Sequence, residues 1–183
     1  MRPNYIGKAN DTIIFLDMTF KYFKTILSTS NDDVLKSHVA KYLTVLTYGS
    51  YESTIKDMLR DFVDENSKSQ LLSGFANKII TERRQNLNFN ELDAFLNSFN
   101  QDWGERLRLK FNNVSKDAFS NINSDKNDVA HAPSKCAITF TEVCDNYEQS
   151  KAVVKFVAEI LSSPISMKPW PNLINFFRSL PPI

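Results

Sequence analysis

The chain has 183 residues, 42 % of them hydrophobic and 23 % charged, with 22 basic against 21 acidic side chains and a formal net charge of +1. That length suits one domain with a sizeable core, and the even balance supplies no broad basic surface of the kind long nucleic acid selects, although a sum conceals a local patch. Only 4 glycines argue against a turn-rich sheet protein, while 14 phenylalanines and 6 tyrosines supply bulky core, stacking or interface material.

Residues 1–10 read as a short arm without a signal-peptide hydrophobic run, and no segment approaches about 18 consecutive apolar residues, so a cytoplasmic protein with no membrane partner is expected. Asp11 is a plausible N-cap for a helix over 12–28, whose stripe is Ile13, Leu16, Phe20, Phe23 and Leu27. The run Ser28-Thr29-Ser30-Asn31-Asp32 breaks it, and Asp32 or Asp33 caps the next helix. That long second helix is expected over about 34–65, through Leu35, Val39, Tyr42, Leu46, Ile55, Leu59, Phe62 and Val63. Gly49 interrupts it at a cost of about 1 kcal/mol relative to alanine, which suggests a close helix crossing or a local bend.

A shorter helix comes next over 68–81, then the polar connector Glu82-Arg83-Arg84-Gln85-Asn86, a helix over 90–99, and another over Trp103 to Phe111. Arg83, Arg84, Arg106 and Arg108 are the candidates for RNA contact, although Glu82, Asp93 and Glu105 lie among them and a solvated face explains them as well. Residues 115–130 should be helical, with Ser115 as cap, ending near His131 because Pro133 removes an amide donor and biases Ala132 away from helix. Residues 134–141 form a β-leaning connector. Thr141 with Glu142 or Thr139 with Glu142 can start the last helix, the latter with capping-box spacing, and that helix runs to Pro164 through Val143, Tyr147, Val154, Val157, Ile160 and Leu161. The tail holds Pro164, Pro169, Pro171, Pro181 and Pro182, with a short helix expected over Leu173 to Leu180 and Trp170, Phe176 and Phe177 docking it on the body. Cys136 and Cys144, eight apart among hydrophobic residues, read as small buried side chains rather than a metal pair. No phosphate loop, zinc-finger spacing, repeat or heptad run is present.

One constellation carries chemistry: Lys126-Asn127-Asp128-Val129-Ala130-His131. Asn127 and His131 are one helical turn apart and point the same way, with Lys126 on a neighbouring flank. Histidine exchanges a proton near neutral pH, lysine neutralises a phosphate as a point charge, and asparagine orients a phosphate oxygen. A cation near a helix C-terminus also complements the dipole, which accounts for Lys126 or His131 without catalysis. Asp125 and Asp128 either oppose a phosphate or pair with Lys126 and orient it. His38 has no comparable neighbours and reads as a solvent or packing residue.

The segment Lys126 to His131 resembles the signature of the HEPN superfamily: arginine, a polar residue, three variable residues and histidine. Asn127 fills the polar position, His131 the histidine position, and Lys126 stands where arginine is expected, while Ala130-His131 resembles an ending common in that group. The connector, the last helix and the long helix around Tyr51-Glu52 resemble its usual surroundings, and the RiboL-PSP-HEPN branch is the most similar. The resemblance implies an all-α, HEPN-like bundle with one long second helix and a proline-rich C-terminal tail, occupying 1–183 as a single domain with its core at about 12–162 and a docking tail at 163–183. It implies a homodimer whose motif helices face each other, and metal-independent cleavage of single-stranded or loop RNA with no cofactor. The products would be a cyclic phosphate and a 5′-hydroxyl. His131 would transfer the proton or polarise the phosphate, Lys126 would stabilise negative charge, and Asn127 would orient, with Glu52 and Asp128 as positioning candidates. The wider role implied is a toxin or defence effector. The alternative is a catalytically weakened HEPN module that binds RNA, dimerises or regulates a protein partner, because lysine lacks the bidentate fork of arginine.

Overall fold

The computed structural model describes residues 3–67, 69–82, 87–133 and 136–163. These residues form seven α-helices and no strand: α1 Tyr5–Leu27, α2 Asp33–Asn66, α3 Gln70–Glu82, α4 Phe89–Phe99, α5 Gln101–Lys110, α6 Asn113–His131 and α7 Phe140–Ser162. The fold is an all-helical, HEPN-like bundle. Its second helix, at 34 residues, is about 51 Å long.

Side-chain oxygens start most of these helices by accepting an orphan backbone N–H. Asn4 does so for α1, Asp32 for α2, Asn88 for α4, Asn100 for α5 and Asn112 for α6. The first of these corrects the expected arm: the cap lies seven residues before Asp11, because Tyr5 and Ala9 extend the buried Ile13–Leu16–Phe20 stripe backwards. Asn112 likewise displaces Ser115, whose amide it receives at 3.1 Å. Thr139 and Glu142 form the full capping box of α7.

The four long helices α1, α2, α6 and α7 pack around one hydrophobic core. Thr12 meets Thr54 and Phe23 meets Tyr42, so α1 and α2 run antiparallel. Tyr51 stacks on Phe119 and Lys41 reaches the Pro133 carbonyl, so α2 and α6 are antiparallel too. Tyr147 of α7 stacks on Phe20 with ring centroids 4.3 Å apart and donates its hydroxyl to Asp17 at 2.7 Å. The helices between α2 and α6 close the far end of the bundle, where Phe62 packs edge-on to Trp103. There α4 and α5 cross closely at Gly104, where a Cβ would lie 2.3 Å from the Asn97 side chain. Gly49 has no such role. It is exposed and α2 continues through it, with nothing within 4 Å of where a Cβ would stand. Residues 136–139 are irregular. Cys144 is buried and Cys136 half-buried, and both are free thiols. The expected short helix at 173–180 and the docking of Trp170, Phe176 and Phe177 lie outside the described residues.

Candidate active site

The motif occupies the last turn and a half of α6. Asn112 sets the start of that helix, and Pro133 sets its end by turning Ala132 out of helical geometry, at φ −144° and ψ 58°. The amide of Ala132 still donates to the Asp128 carbonyl at 2.8 Å, and Lys41 Nζ donates to the Pro133 carbonyl at 2.7 Å. The second bond pins the end of the motif helix to α2.

Lys126 is half-buried against α2. Its Nζ donates to Asn127 Oδ1 at 3.0 Å and stands 4.5 Å from the centroid of the Tyr48 ring. Tyr48 is buried, and its hydroxyl accepts the Leu87 amide at 3.2 Å. Burial pushes that hydroxyl up to about 12, with the Glu52 carboxylate, a hydrogen-bond partner, adding to the rise. Glu52 in turn accepts from Lys56 Nζ at 2.7 Å, both side chains being largely covered. Thus Glu52 touches the site through Tyr48. His131 is the final residue of α6 and its imidazole is exposed, with no hydrogen bond or ion pair among the described residues.

Asp125, just before the motif, and Asp128, within it, turn elsewhere. Asp125 and Asp128 line a polar cavity of about 510 Å³ against α7, together with Asn121, Glu142, Asp145 and Asn146. Burial first, then the charges of Asp128 and Glu142, raise the Asp125 carboxyl to about 6. The positive and negative sides of α6 are thereby separated around its circumference.

The remaining candidates are not brought to the motif. Arg108 grips Asp93 with both contacts at 2.7 Å, and Arg106 Nη2 donates to Ser163 Oγ at 3.3 Å. Both belong to α5, whose Trp103 packs on Phe62, about 21 Å along α2 from Tyr48. Arg83 and Arg84 lie outside the described residues. His38 is exposed on α2. Among the described residues no group of three or more His, Cys, Asp or Glu side chains is arranged to hold a metal ion, and no helix is long and apolar enough to cross a membrane.

Tyr48 is the site residue that the apolar marks of α2 did not single out. Its signal was the spacing Thr44, Tyr48, Tyr51, Ile55, which is the edge of α2 that meets α6. The arrangement puts a lysine cation, held between an aromatic face and an amide oxygen, five residues before a solvent-open imidazole on the same helix. These are the parts needed to bind a phosphodiester and move a proton beside it.

A family model described as RiboL-PSP-HEPN matches residues 16–163. No curated protein and no solved structure gives a significant match.

Proposed function

The chain belongs to the RiboL-PSP-HEPN family of the HEPN superfamily, whose general role is to act on RNA, and on that premise we propose that it is a metal-independent RNA endonuclease. The observation that carries this reading is the placement of Lys126, seated over Tyr48 and bonded to Asn127, which itself lies one helical turn before the exposed His131. In the reaction, a ribose 2′-oxygen attacks the adjacent phosphorus and the bond from phosphorus to the 5′-oxygen breaks. The 2′-hydroxyl gives up its proton and the departing 5′-oxygen gains one, leaving a 2′,3′-cyclic phosphate and a 5′-hydroxyl. His131 moves a proton at these oxygens, Lys126 opposes the charge that builds on the non-bridging oxygens, and Asn127 orients them. Glu52 acts one step back, through Tyr48.

Two copies pair so that their α6 ends share one cleft. What supports this is an exposed stripe on α2 at heptad-like spacing, Leu35, His38, Tyr42, Val45 and Gly49, that adjoins the motif face. Tyr42 and Val45 are 53 % and 44 % exposed, which is unusual for side chains in the middle of a long helix. The wider role is that of a toxin or defence effector working in the cytoplasm.

The test is incubation of the purified protein with mixed single-stranded and structured RNAs in EDTA, beside His131→Ala and Lys126→Ala. We expect cleavage with cyclic-phosphate ends, reduced by about 10²-fold or more in each variant, the scale of a lost acid–base or charge-stabilising group. A folded, dimeric wild-type protein that cuts nothing in such a panel would count against the enzyme and for the weakened, RNA-binding or partner-regulating module.

A further inference from the structure

A lysine at the site poses a physical problem. Its ammonium sits on four rotatable carbons and carries about 2 kcal/mol of rotamer entropy, so its charge is easily spread over many positions. The solution in this molecule is an aromatic seat. The ring of Tyr48 is 5 % exposed and wedged between α2 and α6. Its hydroxyl accepts the Leu87 amide at 3.2 Å, which anchors the far end of the ring. Lys126 Nζ lies 4.5 Å from the ring centroid, well inside the range over which the negative face attracts a cation. The same ammonium reaches Asn127 Oδ1 at 3.0 Å, so ring and amide fix it from two directions.

We propose that Tyr48 is the positioning residue of this site: its ring holds the Lys126 ammonium beside Asn127, so that a flexible point charge acts with the orientation that a guanidinium fork has by shape. The consequence for turnover rests on the ribonuclease reading, whereas the hold on Lys126 is a property of the folded protein alone.

The two halves are read separately. In protein labelled with ¹³C-lysine, the Lys126 ε-methylene signal, identified by its loss in Lys126→Arg, should be shifted upfield by the ring current. It should stay shifted in Tyr48→Phe and return to the ordinary lysine position in Tyr48→Leu. A wild-type signal already at the ordinary position, or one unmoved by Tyr48→Leu, overturns the proposal. The second series keeps the shape of the ring and so avoids a folding defect. Phenylalanine with increasing fluorination at position 48 weakens the negative face without changing its outline. Relative to the unfluorinated phenylalanine protein, cleavage kcat should fall stepwise, to about a tenth at full fluorination, with KM for RNA nearly constant. A flat series overturns the positioning role. A protein that shows the ring-current shift but cuts no RNA upholds the seat of Lys126 and overturns the ribonuclease reading instead.

Discussion

Asp125 and Lys126 are sequence neighbours that face different helices. Lys126 leans on Tyr48 of α2, whereas Asp125 faces α7, where it receives only a long 3.5 Å bond from Asn146. Adjacent positions on a helix lie about 100° apart, so one residue belongs to the site and the other to an acidic cavity. This separation has a thermodynamic signature. The Asp125 carboxyl rises from 3.8 unfolded to about 6 folded, so between those values the native state binds more protons than the unfolded chain. Stability then falls as pH rises through that window. Asp125→Asn should therefore stabilise the protein at pH 7 by about 1 kcal/mol, a value discounted for the solvent that still reaches the carboxyl. Below about pH 4 it should bring no gain. Urea unfolding of both proteins at pH 4 and pH 7 checks this, and an equal difference at the two pH values would falsify it.

The start of α7 shows how far a local rule reaches. Thr139 Oγ1 accepts the Glu142 amide at 3.2 Å, while the Glu142 carboxylate receives the Thr139 amide at 2.8 Å and the Thr139 hydroxyl at 2.7 Å. Those two donors, the amide first, hold the Glu142 carboxyl below its usual range. Thr139→Ala should cost about 1 kcal/mol, a fall in Tm of about 2–4 °C at neutral pH. Because a depressed carboxyl stabilises only above its folded pKa, the penalty should shrink on acidification; thermal melts at pH 7 and pH 3 measure the change. Reading α1 was harder. Asp11 has the chemistry of a cap, yet it is exposed mid-helix, because burying Tyr5 and Ala9 outweighs the poor helix propensity of Gly7 and Asn10. The Gly49 expectation failed for a related reason. A glycine's cost is visible in sequence, but whether a neighbour occupies the missing Cβ's place depends on packing, and there the place is open.

At the scale of the molecule, most of the exposed apolar side chains among the described residues are on α1 and α2, with Leu71, Leu72, Leu109 and Val114 elsewhere. Phe15, Met18, Tyr22 and Ile26 on the outer side of α1 lie beside Leu35, Tyr42 and Val45, joined through the Phe23–Tyr42 ring contact. The stripe on α2 that runs towards Lys126 is the part used for pairing in the proposed dimer. Tyr42→Asp and Val45→Asp should each halve the sedimentation mass while leaving the helical circular dichroism unchanged, since neither side chain is in the core. A wild-type monomer, or variants that still sediment as dimers, would remove the stripe from the interface.

Helix content, the long second helix, the α7 capping box and the stop at Pro133 were legible in the sequence because each depends on residues within about one turn of one another. So was the spacing of Lys126, Asn127 and His131, which is a property of a single helix. What lies across a helix interface was not. Local pattern could not say that Tyr48 carries Lys126, or that Arg106 and Arg108 are spent on Ser163 and Asp93. Partners 15 to 78 residues apart are matched by the angle and register at which helices pack, and those emerge only when the whole core closes.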